Sequence, residues 1–308
     1  MVPRVISLLS SATEIVCALN AEAWLVGRSH ECDYPLSIRA LPQCSRPLID
    51  ITGSSREIDL RVKNSARQGL SLYDVDSAML QELRPDIILT QTQCEVCAVS
   101  LKDVEAALCD MLNSQATIVS LQPNSLADFY RDIRLIASAL QIPERGESLV
   151  QRLEGRLADI RRLAEAQSSR PTVACLEWLD PLMAAGNWVP ELVQIAGGTN
   201  LFGTVGEHSP WMNWDELIAA DPDVLVALPC GWDIEKATLE LHDLAQHPAW
   251  LSLRAVRSNS VFVTDGNQYF NRPGPRLVES AEILAEIFHP GVFAFQHMPN
   301  GWRRYQPA

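Results

Sequence analysis

One element occurs twice in this chain, and it limits the folds available to it. Residues 79–94 read MLQELRPDIILTQTQC and residues 217–230 read LIAADPDVLVALPC. Each couples an apolar helix end to a Pro-Asp stop (Pro85-Asp86, Pro222-Asp223), then to a short apolar strand and a cysteine-bearing loop. Proline cannot continue a helix and pushes its predecessor toward extended backbone. The runs IILT and VLVAL suit strands buried on both faces, as in a parallel sheet. The repeat predicts two related α/β lobes. Open α/β sheets bind ligands beyond the carboxyl ends of their strands, where these loops fall. If the lobes face each other, both loops look into one cleft.

The lobe starts match as well. Residues 3–9 (PRVISLL) open the first lobe and residues 170–176 (RPTVACL) the second. Each is an apolar strand after a proline, followed by a polar loop and an apolar-periodic helix. In the first helix Ser11, Ala12, Thr13 and Glu14 form a capping-box pattern, with Ser11 as the expected N-cap. That puts the positive end of a helix dipole at the edge of the expected cleft.

A length of 308 residues suggests about two domains. The net charge of −13, without a basic stripe, argues against nucleic acid and against a polybasic membrane surface. No run reaches the roughly 18 apolar residues of a membrane-spanning helix, so no membrane insertion is expected. The opening residues lack the basic start and apolar core of a leader. The expected location is therefore cytoplasmic, or periplasmic if a leader has been removed. Eight cysteines without framework spacing are expected to be mostly free; Cys17, Cys109 and Cys175 sit among apolar residues.

The predicted layout is an N-terminal α/β lobe (1–124), a helix pair (125–169) that includes one long interlobe helix over 144–167, a C-terminal α/β lobe (170–290), and an irregular extension (291–308). In the first lobe strands are expected at 4–9, 24–27, 86–90 and 117–121, with a polar loop through 56. The long helix carries Leu149, Leu153, Leu157, Ile160 and Leu163 on one face and charges of alternating sign elsewhere. About 24 residues at 1.5 Å each span about 36 Å, enough to bridge two lobes. The fold class is α/β: two Rossmann-like lobes with mainly parallel sheets joined by one long backbone helix.

Several segments carry a family resemblance: residues 3–20 (PRVISLLSSATEIVCALN), 25–35 (LVGRSHECDYP), 83–91 (LRPDIILTQ), 197–202 (GGTNLF), 215–231 (DELIAADPDVLVALPCG) and the linker helix. Together they resemble the helical-backbone (class III) substrate-binding proteins of ABC importers, nearest the cobalamin-binding-like branch. The resemblance runs over roughly residues 3–290. It implies a non-catalytic binding protein that holds cobalamin, another corrinoid or a related metal complex between the lobes, with modest closure. It also implies an ABC permease as partner if the chain is exported.

Three groups of residues carry candidate chemistry. Ser29, His30, Glu31, Cys32, Asp33 and Tyr34 follow a short strand and hold three types of metal ligand. Cys94, Glu95 and Cys97 form a lone C-x-x-C, which serves a metal, a redox pair or the lining of an organic-ligand pocket. His30, Cys32, Cys94 and Cys97 together would suit zinc or another thiophilic ion. In the second lobe Cys230 and Trp232 occupy the equivalent loop, beside Trp178, Trp188 and Trp211. As a set these tryptophans suit a large flat ligand, because indole offers broad rigid area and one donor; a macrocycle fits. Tyr269 and Arg272, in a loop shaped by glycines and prolines, can reach a ligand carboxylate, amide or phosphate. The candidate ligand-binding set is thus His30, Glu31, Cys32, Tyr34, Cys94, Glu95, Cys97, Trp178, Trp188, Trp211, Cys230, Trp232, Tyr269 and Arg272. No hydrolase, zinc-protease or nucleotide-loop motif is present, so no catalytic residue and no required cofactor is expected. The rival reading is a cytosolic metal- or thiol-dependent protein, enzymatic or not, built on the His30, Cys32, Cys94 and Cys97 cluster.

Overall fold

The computed structural model describes residues 2–68, 70–92, 99–109 and 116–306. Its backbone divides into two units. The first comprises residues 1–53, 57–123 and 127–152; the second comprises 54–56, 124–126 and 153–308.

The first unit is built on a four-stranded, all-parallel sheet. Its strands are β1 (Val5–Ser7), β2 (Leu25–Arg28), β5 (Ile87–Gln91) and β6 (Thr117–Leu121), in the order β2-β1-β5-β6. Two further strands, β3 (Ser45–Pro47) and β4 (Tyr73–Val75), form a separate antiparallel ribbon. Ile6, Leu8, Ile88, Val99 and Val104 pack with Cys44 and Val75 of the ribbon in one buried cluster. Helices α1 (Ser10–Ala18), α2 (Ser55–Arg67), α3 (Ser77–Leu83), α4 (Leu101–Cys109) and α5 (Leu126–Ala139) intervene between or follow these strands. The long helix α6 (Pro143–Glu165) has its residues through Arg152 in the first unit and the rest in the second.

In the second unit β7 (Thr172–Leu179), β10 (Val224–Ala227) and β11 (Val261–Thr264) make a parallel core. The antiparallel strands β8 (Leu182–Ala184) and β12 (Trp302–Arg304) flank it, and the two-residue β9 (Thr199–Asn200) adds to β7. Helices α7 (Val189–Ile195), α8 (Trp214–Ala220), α9 (Ile234–Leu244), α10 (Arg254–Arg257) and α11 (Leu277–Phe288) complete it. The fold class expected from the sequence is therefore present: α/β, with two mainly parallel sheets.

The duplicated element has a shared physical basis. Helices α3 and α8 both end on a left-handed residue, Arg84 (φ 45°) and Asp221 (φ 40°). The proline that follows turns the chain into the next strand. The aspartate after it takes a backbone amide from the start of the unit's first strand. Asp86 Oδ2 accepts from Arg4 N at 2.7 Å, and Asp223 Oδ2 accepts from Thr172 N at 2.9 Å. Asp223 also accepts from Thr172 Oγ1 (2.7 Å) and pairs with Arg254 (2.8 Å).

Two local expectations need correction. Ser11 does not cap α1: the N-cap is Leu9, and no side chain caps it. Ser11 lies a residue inside the helix and is buried. A capping box is present at α8, where Asn213 Oδ1 accepts from Glu216 N (3.0 Å) and Glu216 Oε2 accepts from Asn213 N (2.8 Å). The tail is not wholly irregular, because Trp302–Arg304 pairs with β11.

The hydrogen bonds to Thr172, with Arg254, hold the Asp223 carboxyl below its ordinary value of 3.8. Its stabilising contribution is present above that value and is lost as pH falls through the lower folded value. Asp223→Ala should therefore cost about 1–3 kcal/mol in urea denaturation at neutral pH, the usual range for bonds to a charged acceptor. The deficit should shrink in acid. An unchanged midpoint at neutral pH would show that the clamp does not hold β7 to β10.

Candidate functional site

In the first unit the segment after β2 folds back beneath itself. Ser29 is buried and its Oγ accepts from Glu31 N (3.1 Å). His30 Nδ1 lies 3.0 Å from Ser45 Oγ on β3, its backbone N–H donates to the same oxygen (3.3 Å), and its ring tilts against Tyr73 of β4 at 5.4 Å. The ribbon therefore holds this imidazole from one side. Burial, with Arg28 nearby, pushes the His30 pKa down to about 4, so the ring is neutral at physiological pH.

Cys32 departs from the metal-ligand expectation. It is 1% exposed, its thiol lies 3.0 Å from Thr13 Oγ1, and it sits 3.8 Å from the Ser7 carbonyl. The thiol packs inward onto α1 and β1 while His30 packs against the ribbon. Glu31 is half-buried and Tyr34 is exposed. Cys94, Glu95 and Cys97 lie outside the described residues. Among the described residues no group of three or more His, Cys, Asp or Glu side chains is placed to hold a metal ion.

In the second unit three loops interlock at the carboxyl ends of the parallel strands. The loop after β10 carries Cys230 and Trp232. The loop after β11 is a single π turn, Gly266–Phe270, capped by Asp265, whose side chain accepts from Gln268 N at 2.7 Å. Asn267 N donates to Trp232 O (3.1 Å), and Asn271 Nδ2 donates to Leu228 O (2.9 Å). Trp188, just before α7, donates its indole N–H to Phe270 O at 2.9 Å. A side chain at Gly266 would run into the Pro229 and Leu228 carbonyls, which explains glycine there.

The aromatic residues meet on this framework. Trp178 and Trp232 lie 5.2 Å apart, tilted by 46°. Lys236 Nζ stands 4.2 Å over the Trp232 ring, and burial lowers its pKa. The Trp178 indole N–H is buried without a hydrogen-bond partner. Arg272 is buried and donates to Asn267 Oδ1 (2.9 Å), while Arg276 lies over Tyr269 at 5.6 Å. Cys230 is half-buried, and its backbone amide donates to Glu177 O (3.1 Å). Trp211 is 55% exposed and bridges to Met183, which pairs with Trp178 across β7 and β8. Trp178 at the end of β7 and Trp188, Trp232, Tyr269 and Arg272 on the loops beside it are thus brought together.

Several residues of these shells are not evident from the sequence. Ser45 lies in a three-residue strand without periodicity. Asn267 acts only through the fold of its loop. Asp265 and Gln268 do carry a readable signal, because a capping residue three positions before Gln is a turn-start pattern. Of the five histidines outside the candidate set, His247 stacks on Trp214 at 3.8 Å and His242 has its Nδ1 2.9 Å from Tyr305 Oη.

A family model described as periplasmic binding protein matches residues 5–268. The chain belongs to that family. It is 22% identical over 298 residues to an uncharacterized ABC transporter substrate-binding lipoprotein, YvrC, of Bacillus subtilis, covering 94% of this chain and 81% of the relative. It is 25% identical over 281 residues to the vitamin B12-binding protein of Vibrio cholerae, covering 91% and 86%. Among solved structures it is similar to the periplasmic heme-binding protein RhuT of Roseiflexus sp. RS-1, with TM-score 0.69, 24% identity and coverage of 94% and 99%. A periplasmic vitamin B12-binding protein, BtuF of Vibrio cholerae, superposes with TM-score 0.65 at 20% identity, covering 93% and 96%. These findings put the chain among binding proteins and give no support to a cytoplasmic location. No helix among the described residues is long and apolar enough to cross a membrane.

The state of His30 can be measured. Its folded value of about 4 lies below the ordinary 6.5. The unfolded chain therefore binds the proton first, and stability rises with pH across that window. Histidine NMR titration should find one imidazole that stays neutral down to about pH 5. If all six histidines titrate near the ordinary value, the packing of His30 on Ser45 and Tyr73 is wrong.

Proposed function

We propose that this protein binds a flat metallotetrapyrrole, cobalamin or haem, as the substrate-binding component of an ABC importer. The observation that carries the reading is the aromatic cluster of the second unit. Trp178 at the end of β7 and Trp232 on the loop after β10 offer a rigid apolar surface, with a buried indole donor that lacks a partner and Lys236 of α9 over the Trp232 ring. Macrocycles with amide, carboxylate or phosphate edges suit such a surface: the plane takes the indoles, and the periphery takes Arg272. Relatives named for vitamin B12 and for heme point to the same ligand class.

The residues fit a preformed metal complex better than a naked ion. A naked ion needs several protein donors, whereas a metal already held by four ring nitrogens needs one or none. The small-molecule complex is the cargo, and an ABC permease is the proposed partner.

Titration with cyanocobalamin and with haemin, followed by tryptophan fluorescence and by the corrin and Soret bands, tests the reading. One of the two should quench the fluorescence saturably at a 1:1 ratio. Trp232→Ala should weaken that binding about tenfold or more, the scale expected for losing one aromatic contact of about 1.5 kcal/mol. If neither compound quenches fluorescence or changes its spectrum at micromolar protein, the proposal fails.

A further inference from the structure

The C-terminal segment lies past the last residue matched by the family model, and it is tied to the loop that carries Tyr269 and Arg272. Two buried glutamates of α11 hold it down. Glu286 accepts from Gln296 N at 2.6 Å and from Trp302 Nε1 at 2.7 Å. Glu282 pairs with His297 Nε2 at 2.9 Å and with Arg156 of α6 at 2.6 Å. From His297 the connection continues through backbone. His297 O accepts from Gly301 N (2.6 Å), and Gly301 O accepts from Asp265 N (3.1 Å). Asp265 caps the π turn and holds Gln268 at both its backbone and its side-chain amide (2.7 and 2.8 Å), and Gln268 Oε1 accepts from Arg276 (3.1 Å). The His297 ring also meets Tyr269 edge-on at 6.2 Å.

We propose that the segment 291–306 is an intramolecular brace for the ligand loop 265–276, with His297 as its positioning residue and the His297–Glu282 ion pair as its pH-sensitive latch. That residues 265–276 hold a ligand rests on the function proposed above; the brace itself does not. The groups facing His297 are Glu282, Glu286 and Glu279 of α11, with Arg156 bound to Glu282 and Arg276 near Glu279. Burial disfavours the imidazolium, but the three carboxylates outweigh it, and the net shift is upward from 6.5. The contribution of the pair is fully present below 6.5 and disappears as pH rises through the higher folded value. Glu282 is also buried, but the bonds from His297 and Arg156 outweigh that and hold it below its ordinary value, so it stays ionised across this range. The brace is tightest in mild acid and slackens in base.

Hydrogen–deuterium exchange on the full chain tests the brace without any ligand. In the wild type the opening of 265–276, corrected for the intrinsic pH dependence of exchange, should increase about fivefold from about pH 6 to about pH 9. His297→Ala should open that loop about fivefold at pH 6 and abolish the difference. His297→Gln, which retains a neutral donor, should keep the loop closed and make it independent of pH; it also serves if the alanine variant does not fold. Loop exchange that is the same in all three proteins overturns the brace. Affinities for haemin and cyanocobalamin on the same samples separate the two proposals. A wild type that binds neither, yet shows the shift in exchange, sinks the ligand reading and leaves the brace standing.

Discussion

A carboxylate that takes one backbone amide sets the geometry of each unit. A parallel strand entering a sheet has an amide at its leading end that needs a partner. Asp86 and Asp223 supply that partner from the neighbouring strand, at 2.7 and 2.9 Å. Each bond pins the start of the first strand to the start of the strand beside it, and the pairings Val5↔Ile87 and Val173↔Val224 follow. Parallel strands aligned at their amino ends deliver their loops at the opposite edge together. In the first unit the segment around His30 emerges at that edge of its own sheet, and in the second the loop with Trp232 and the turn with Tyr269 do so at theirs. The chemistry at one edge thus depends on a clamp at the other, and substitutions at either aspartate act on the site only through the register of the sheet.

What was legible in the sequence was what repeats or what is periodic. The Pro-Asp stops, the apolar runs after them and the stripe through Leu149, Leu153, Leu157 and Ile160 announced the sheets and the long helix, because burial leaves a pattern over many residues. The ribbon β3–β4 left none: Ser45, Arg46 and Pro47 are too few to show alternation, and the partner strand is 28 residues away. The capping-box pattern at Ser11 misled for a related reason. Four residues form a local signal, and burial of the whole first turn against β1 decided where α1 begins. The tail strand was hidden because its pairing with β11 depends on Glu286 and Glu282 drawing Trp302 and His297 to α11.

The candidate site shows the same division. Loop chemistry is visible as residue types, yet direction is not. His30 and Cys32 are two positions apart, but one packs on the ribbon and the other enters the core. Cysteine behaves here as a small apolar residue: burial pushes the Cys175 thiol up to about 12 and the Cys44 thiol to about 11. A thiol that resists ionisation is a poor metal ligand. That weighs the chemistry of the described residues toward indole and imidazole.

The second unit spends much of its hydrogen bonding on making its loops rigid before any ligand arrives. The side chains of Trp188 and Arg272 are fixed through Phe270 O and Asn267 Oδ1, and the backbone of Trp232 through Asn267 N. Ordering a rotamer-rich side chain on binding costs about 0.5–1.5 kcal/mol, and here that cost is met during folding. The unpaired indole N–H of Trp178 is the exception among these donors. A buried donor without an acceptor costs about 1–3 kcal/mol, and an acceptor brought by a ligand would relieve that cost only in the bound state. Rigid neighbours and one unsatisfied donor therefore act in the same direction: each widens the free-energy difference between the bound and the free protein without any large rearrangement of the loops.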